Sequence, residues 1–303
     1  MKDERGPFAS TRAWGAPPVV LITGCSSGIG RAVAERAVSA GFTTVATARN
    51  PETLRELEAA GCVVRALDVT DDAARRRVVT ELEETYGGVD ALVNNAGYGE
   101  LGPFEEVPLD RWDQQFRTNV YGPVALAQLV LPGMRARGRG RIVSVSSMAG
   151  ELVLPVGAAY HASKFALEAA MEALWLEVRR FGVEVSLVQP GAVNSRWGDN
   201  VPALKEYASG AYGELVTEMA EQMAKRLPRG ASAEYAASVV LRALTDRRPR
   251  LRYRVGVDAH VLLPLSRVLP ARVWTAWVRK QFPSMRRPAP RPARPPALDG
   301  TRP

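Results

Sequence analysis

Short apolar runs alternate along the chain with longer segments of helical periodicity. We predict strands near residues 19–23, 43–48, 62–67, 90–93, 141–146, 184–189 and 251–255. We predict helices near residues 29–40, 52–60, 71–86, 110–136, 157–181, 212–226 and 232–245. Strands that alternate with helices are typical of βαβ units on a parallel sheet. The pattern therefore predicts an α/β domain over residues 18–257, with a sheet of about seven strands.

The two ends of the chain lack this alternation. Residues 1–18 are polar and contain Gly and Pro, without the apolar core of a secretory signal. We expect a disordered lead over residues 1–17 and a disordered Pro/Arg-rich tail over 283–303.

Residues 258–282 form an apolar segment that we expect to be helical. Prolines and arginines interrupt it, whereas a helix that spans a membrane needs about twenty largely apolar residues. Three interpretations stay open for this segment: a cover for a pocket, a contact between subunits, or a helix in a lipid interface.

The net charge of +8 is concentrated near the C-terminus. Residues 279–303 contain seven basic residues and one acidic residue, which gives +6 and leaves +2 for the remainder. We therefore predict no nucleic-acid partner, while peripheral membrane contact through residues 259–303 stays open. Cys25 and Cys62 are too few for a disulfide framework, so we expect a reducing, cytoplasmic location, with membrane association as an alternative.

A glycine-rich segment, Thr-Gly-Cys-Ser-Ser-Gly-Ile-Gly at 23–30, joins the first predicted strand to the first helix. Glycines let the backbone turn sharply and approach a pyrophosphate, which the N-terminus of the helix stabilises. An ordinary structural turn is the alternative. We predict that a dinucleotide contacts Gly24, Ser26, Ser27, Gly28, Ile29 and Gly30.

Tyr160 and Lys164 are four residues apart in a predicted helix, so their side chains share one face. A phenol normally titrates near pH ~10. A neighbouring cation favours the phenolate, and we therefore expect Lys164 to lower the pKa of Tyr160. The lowered pKa would let the phenol exchange a proton near neutral pH.

Together with further motifs, these two segments resemble the short-chain dehydrogenase/reductase family, and its steroid- and retinol-dehydrogenase-like branch in particular. The resemblance extends over about residues 19–193 and includes Asn-Asn-Ala-Gly at 94–97, Thr-Asn-Val at 118–120, Ser147 and Pro190-Gly191. It implies a Rossmann-like doubly wound parallel sheet flanked by helices, with a helical substrate lid at about 196–228.

The resemblance also implies roles for individual residues. Tyr160 would be the acid/base, Lys164 would also hold the nicotinamide ribose, Ser147 would donate to the substrate oxygen, and Asn119 would anchor a water chain. The further cofactor contacts implied are Asn95, Ala96, Gly97, Pro190, Gly191, Val193 and Ser195. Ser195 stands where the family usually has threonine.

The end of the second predicted strand indicates which dinucleotide binds. An acidic residue there would hold the 2′-hydroxyl of NAD, whereas arginine accommodates the 2′-phosphate of NADP. The chain has Arg49 and no carboxylate at this place, so we favour NADP(H) over NAD(H). Asp68 and Val69 resemble the pair that contacts adenine; a helix N-cap at Asp68 or Thr70 is the alternative.

Apolar residues near the motifs and in the lid indicate a lipophilic alcohol or carbonyl substrate, steroid-, retinoid- or similar. The candidates are Tyr98, Met148, Leu152, Leu154, Trp197, Leu204, Tyr207, Tyr212, Leu215, Met219 and Met223. We expect no metal site and no catalytic role for His161 or His260. The predicted helices 110–136 and 157–181 are those this family commonly uses to form homo-oligomers. A catalytically idle NADP-binding sensor or scaffold is the alternative function.

Overall fold

A computed structural model of the protein describes residues 17–194 and 204–286. Its centre is a seven-stranded sheet in which every neighbouring pair of strands is parallel. The strands are β1 (Val19–Ile22), β2 (Thr43–Ala48), β3 (Val63–Ala66), β4 (Ala91–Asn94), β5 (Gly140–Val145), β6 (Val183–Pro190) and β9 (Arg252–Val255). They lie in the order β3-β2-β1-β4-β5-β6-β9.

Helices cover both faces of this sheet. They are α1 (Gly28–Ser39), α2 (Arg55–Ala59), α3 (Asp72–Tyr86), α4 (Leu109–Phe116), α5 (Gly122–Ala136), α6 (Ala158–Val178), α7 (Gly213–Arg226), α8 (Ala233–Thr245), α9 (Val257–Val268) and α10 (Ala271–Gln281). One apolar core contains side chains of α1 and α8, and a second contains side chains of α3, α5 and α6. The prediction of a Rossmann-like doubly wound α/β fold is confirmed.

The predicted helix 110–136 contains an irregular turn. Arg117–Tyr121 is π-helical and joins α4 to α5 without a break in the chain direction. Single π turns inside α-helices are frequent at functional sites because the extra residue redirects a side chain. Asn119 lies in the middle of this turn.

The apolar segment 258–282 is two helices rather than one. Leu269 is extended, as the residue before a proline generally is, and Pro270 precedes α10. Pro283–Arg286, which we predicted to belong to the disordered tail, forms a 3-10 turn. The backbone N–H and the hydroxyl of Ser284 donate to Glu218, at 2.9 and 2.7 Å. The predicted lead at 1–16 and the tail from 287 onward lie outside the described residues.

The predicted lid is held to the sheet domain by a short parallel ladder that the sequence did not reveal. Strand β7 (Val193–Asn194) pairs with β8 (Ala231–Ser232). The two ends of the segment between these strands therefore lie side by side at the sheet domain. The described part of that segment contains a 3-10 turn at Leu204–Tyr207 and helix α7. Among residues 17–194 and 204–286, no helix combines the length and apolarity that crossing a membrane requires.

Candidate active site

A cavity of about 950 Å³ lies at the carboxyl ends of the central strands. Among the described residues, all those predicted to be catalytic or to contact the cofactor line it, except Gly30 and Asn119, and so do the predicted substrate contacts Tyr98, Met148 and Leu154. The predicted residues that line it are Gly24, Ser26, Ser27, Gly28, Ile29, Arg49, Asp68, Val69, Asn95, Ala96, Gly97, Tyr98, Ser147, Met148, Leu154, Tyr160, Lys164, Pro190, Gly191 and Val193. Predictions for Ser195 and Trp197 concern positions outside the described residues.

The glycine loop is held against the end of β4 by one asparagine. The side-chain amide of Asn95 donates to the carbonyl oxygens of Thr23 and Gly24, both at 3.0 Å. A Cβ on Gly30 would lie 2.3 Å from that amide nitrogen, so only glycine leaves room for Asn95. Gly24 and Gly28 have positive φ values of 72° and 59°, a region that glycine enters without strain.

The threonine that begins this loop makes a second connection to β4. The Thr23 hydroxyl accepts from the backbone N–H groups of Asn95 and Ala96, each at 3.0 Å. Cys25 is fully buried, and burial raises the pKa of its thiol to about 12. The thiol therefore stays protonated and fills space, and the loop leaves its backbone open to a pyrophosphate ahead of α1.

Tyr160 and Ser147, the residues predicted to act on the substrate oxygen, are bonded to each other in the wall of the cavity. Ser147 Oγ accepts from the backbone N–H of Ala149 at 3.1 Å, and it also hydrogen-bonds to the phenol of Tyr160. Burial raises the pKa of Tyr160 to about 12, and the bond to Ser147 opposes this rise. The phenol is therefore protonated at neutral pH and can donate a proton to an oxygen beside it.

Lys164 is buried one helical turn after Tyr160. Its ammonium donates to the carbonyl oxygen of Val145, at the end of β5, at 2.9 Å. Burial lowers the pKa of Lys164 to about 8, and the charge of Glu168 opposes that shift. The expected lowering of the Tyr160 pKa by Lys164 is wrong for this structure, because desolvation of the phenol is the dominant effect.

Asn119 lies behind the cavity rather than in its wall. Its amide nitrogen donates to the carbonyl oxygen of Tyr98 at 3.0 Å and to Ser163 Oγ at 3.1 Å. Its amide oxygen accepts from the backbone N–H of Tyr98 at 3.2 Å. The side chain thus joins the segment after β4 to α6, and the water chain implied for it stays a prediction.

The far end of the cavity carries the residues predicted to contact the adenosine half of a dinucleotide. Arg49 is exposed just after β2 and lines the cavity. Asp68 accepts from the backbone N–H and the hydroxyl of Thr70, at 2.9 and 2.8 Å. The cap of α3 is Asp71, whose side chain accepts from Ala74, so the alternative of an N-cap at Asp68 or Thr70 is wrong.

This arrangement agrees with the comparison of the chain with known families. The profile described as "short chain dehydrogenase" matches residues 18–205. The chain belongs to the short-chain dehydrogenase/reductase family. Members of the family are oxidoreductases that act on CH–OH groups with a nicotinamide cofactor, and the glycine loop and the long cavity fit such a cofactor.

Three curated relatives illustrate the range of names in the family. "Uncharacterized oxidoreductase YbbO" of Escherichia coli K12 is 34% identical, over 84% of this chain and 91% of that protein. "3-ketodihydrosphingosine reductase" of Bacteroides thetaiotaomicron is 32% identical, over 83% and 92%. "NADPH-dependent 3-dehydrocapnine reductase" of Ornithobacterium rhinotracheale is 30% identical, over 84% and 93%. These names support the family and leave the steroid- and retinol-type branch a prediction.

Solved structures show the same fold with either cofactor. A short-chain dehydrogenase from Streptomyces avermitilis has a TM-score of 0.72 and 34% identity, covering 89% of this chain and 97% of that one. A metagenomic short-chain oxidoreductase in complex with NADP has a TM-score of 0.63 and 31% identity, covering 79% and 97%. A Burkholderia phymatum member in complex with NAD has a TM-score of 0.69 and 28% identity, covering 92% and 98%.

His161, which we expected to be non-catalytic, supports one wall of this dehydrogenase's cavity. Its Nε2 accepts from the backbone N–H of Leu154 at 3.2 Å, so the proton is on Nδ1, which donates to the carbonyl oxygen of Ala149 at 3.1 Å. The ring therefore fixes both ends of the segment that carries Leu152. Burial lowers the pKa of His161, which keeps it neutral.

Asp258, at the start of α9, also lines the cavity and was not predicted. Its carboxylate accepts from the backbone N–H of Ala192 at 2.6 Å. A Cβ on Gly191 would lie 2.0 Å from Asp258 Oδ1, so this glycine permits the contact. The interpretation of segment 258–282 as a cover for the pocket is supported by this contact and by the packing of Leu263 with Leu152.

Two further residues that were not predicted, Glu100 and Arg111, also line the cavity, as does Tyr98. Arg111 Nη1 lies 3.5 Å from the buried Glu100 carboxylate and 3.0 Å from Glu206. The same nitrogen donates to the hydroxyl of Tyr207 at 3.2 Å. Arg111 thus ties the first described turn of the lid to α4.

The lid side chains proposed as pocket residues divide into two groups. Met219 and Met223 line the cavity. The others pack against α10 and the residue after it, in a cluster that includes Val278 and Phe282. This second group contains Leu204, Tyr207, Tyr212 and Leu215.

The two histidines of the chain allow a matched test of the His161 contacts. Because burial lowers the folded-state pKa of His161, the unfolded chain binds more protons below the ordinary pKa of ~6.5. We expect its contribution to stability to be complete above that pH. As the pH falls further, the contribution should decrease by up to about 1.4 kcal/mol per pH unit.

The measurement is the free energy of urea unfolding between pH 5 and 8 for the wild type, His161→Gln and His260→Gln. His260 is exposed, so its replacement should leave the pH dependence unchanged, while His161→Gln should flatten it. Parallel curves for all three proteins would contradict this account of the histidine.

Proposed function

We propose that the protein is an NADP(H)-dependent oxidoreductase that interconverts a lipophilic primary or secondary alcohol and its aldehyde or ketone, with Tyr160 as the acid/base. The observation that carries this proposal is a single cavity that extends from the glycine loop to the Ser147–Tyr160 pair. A dinucleotide held by the loop and a small molecule beside the phenol would share that cavity.

The chemistry divides between the cofactor and the chain. When bound, the nicotinamide supplies or accepts the hydride. Tyr160 moves the proton at the substrate oxygen, and its protonated phenol is the form that carbonyl reduction requires. Ser147 Oγ, hydrogen-bonded to that phenol, is placed to donate to the same oxygen and stabilise its developing charge.

An apolar wall beside the reactive residues supports a lipophilic substrate. Met148 and Leu154 line the cavity and pack with Leu152, Leu263 and Trp274 of one apolar cluster. The two methionines of α7 face the same space, and methionine adapts to irregular apolar ligands. The relatives named as reductases of 3-ketodihydrosphingosine and of 3-dehydrocapnine make these ketones suitable test compounds.

Tyr160→Phe tests the proposed acid/base. We expect kcat/KM for NADPH-dependent reduction, across a panel of ketones and aldehydes that includes 3-ketodihydrosphingosine, to fall by about 10²- to 10⁴-fold, because the proton donor is lost. NADPH binding, followed by fluorescence, should be retained. Tyr235→Phe, at an exposed tyrosine on α8, serves as control and should leave kcat/KM unchanged.

Retained turnover in Tyr160→Phe would exclude this mechanism. NADPH binding by the wild type without turnover of any compound in the panel would instead support the idle sensor or scaffold.

Arg49 supports the preference for NADP(H), since a guanidinium pairs well with a 2′-phosphate. For Arg49→Ala we expect the Kd for NADPH to rise by about 10- to 100-fold, with the Kd for NADH little changed, because only NADPH carries that phosphate. Arg55→Ala removes a nearby exposed arginine outside the cavity and should alter neither. Equal loss of both cofactors would contradict the assignment.

We also propose that the outer surface of α9 and α10 contacts anionic lipid. Four apolar residues form an exposed stripe along α9, with Val257 81% and Val268 76% exposed, and Val261 and Leu265 between them. Residues 259–286 contain five Arg or Lys and no Asp or Glu. Arg267 among them forms an ion pair with Glu151. Apolar area beside cations is the combination that binds anionic bilayers.

Co-sedimentation with vesicles tests this surface. We expect binding to phosphatidylserine-containing vesicles, weaker binding to phosphatidylcholine alone, and loss of binding in Val261→Asp/Leu265→Asp, since charge in the stripe opposes insertion. Leu109→Asp, at an exposed leucine of α4, is the matched control. Undiminished sedimentation of the double variant would contradict the proposal, and a change in its oligomeric state would favour a subunit contact instead. Homo-oligomer formation through the predicted helices 110–136 and 157–181 stays a prediction.

A further inference from the structure

A network of charged side chains lies beneath Lys164, outside the motifs that define the site. Its central member is Glu168, one helical turn after Lys164 on α6 and only 4% exposed. A carboxylate buried to this extent requires partners that replace water. Its contacts therefore indicate why the chain keeps an acid at this place.

Three polar side chains, those of Ser146, Gln189 and Arg252, surround the Glu168 carboxylate. The amide of Gln189, from β6, donates to it at 3.1 Å, and Arg252 Nε, from β9, lies 2.9 Å away. Burial raises the pKa of Glu168, while Arg252 opposes that rise by its charge and its hydrogen bond. Arg252 thus favours the ionised form of an acid whose charged form is disfavoured by burial.

The network extends from Arg252 to the loop after β5 and to α9. Arg252 lies 3.3 Å from Glu151 and 2.7 Å from Glu172, and Arg267 of α9 lies 2.6 Å from Glu151. The charged groups that face one another here are three cations and three anions: Lys164, Arg252, Arg267, Glu151, Glu168 and Glu172. The set is neutral overall, so loss of one acid leaves a cation without its counter-charge.

Gly150 closes the space between Lys164 and Glu168. A Cβ on this glycine would lie 2.8 Å from Glu168 Cγ and 3.1 Å from the carbonyl oxygen of Lys164. The loop backbone therefore packs directly on this part of α6. Glu168 is the charged group whose field opposes the effect of burial on Lys164.

We propose that Glu168 is a positioning residue of the active site, whose carboxylate, held by Arg252 and Gln189, keeps the Lys164 ammonium charged and bonded to Val145. The inference rests on the proposed function for its catalytic consequence, while the charge state of Lys164 is a property of the protein alone. The charged form is the one whose field stabilises a phenolate at Tyr160.

The chain has five lysines, which makes a direct measurement practical. Protein labelled with ¹³C-lysine gives one Cε signal for each lysine, and the signal absent from Lys164→Arg identifies Lys164. Its chemical shift is followed between pH 6 and 11. We expect Lys164 in the wild type to carry its proton at pH 7.

Two substitutions provide a matched comparison. Glu168→Gln and Glu172→Gln each remove one carboxylate that is bonded to Arg252. We expect the Lys164 midpoint to fall by about one pH unit in Glu168→Gln and to stay unchanged in Glu172→Gln. Glu168→Asp, which retains the charge, should keep the midpoint near that of the wild type. Thermal unfolding of each variant reports the purely structural cost.

An unchanged midpoint in Glu168→Gln, or an equal fall in Glu172→Gln, would overturn the inference. If Glu168→Gln fails to fold, the titration of Lys164 in the wild type still tests the inference, because a neutral Lys164 at pH 7 would also overturn it. With a ketone substrate, the basic limb of the kcat/KM profile should move to lower pH in Glu168→Gln. Absence of turnover in the wild type would count against the proposed function and leave the NMR test intact.

Discussion

The burial of one ammonium group constrains the whole reactive end of the cavity. Removing a charge from water costs several kcal/mol unless protein groups replace the solvent, and Lys164 meets that requirement with Val145 and the field of Glu168. The first partner lies at the end of β5 and the second on α6 itself. Helix α6 is therefore fixed over the strand that leads to Ser147, and the same helix carries Tyr160. The geometry of the proposed catalytic pair, Tyr160 and Ser147, therefore depends on where this cation can be accommodated.

Most of the fold could be predicted from the sequence because a parallel sheet covered on both faces needs nearly continuous apolar strands. Each of the seven predicted strands agrees with the observed one to within one residue at either end. The π turn around Asn119 had no local signal that we recognised, and the bonds of the Asn119 side chain to Tyr98, 21 residues away, could not be predicted from spacing. The division of the C-terminal segment had a local signal, which is Pro270 itself. This proline follows the end of α9 and immediately precedes α10.

The candidate site could be predicted where its residues lie in contiguous motifs, and not where they come from distant parts of the chain. The glycine loop and the Tyr160–Lys164 pair belong to local patterns. Asp258 meets its partner Ala192 across 66 residues, and Arg252 meets Glu168 across 84, so no local pattern marks either contact. The spacing of Tyr160 and Lys164 along the helix predicts that their side chains are neighbours. It does not show how far each side chain is removed from water, which also shifts its pKa. For that reason the predicted direction of the Tyr160 pKa shift was wrong.

The raised pKa of Tyr160 changes how the proton step is understood. A phenol that stays protonated at neutral pH is ready to donate, which suits the reduction of a carbonyl without any preceding ionisation. Oxidation of an alcohol needs the phenolate, and in a buried site that anion forms only where nearby cations offset its desolvation. Lys164 is the cation one turn away, and we propose that Glu168 keeps it charged. In the proposed mechanism, the balance between desolvation and this buried network would therefore govern the ease of the reaction in each direction.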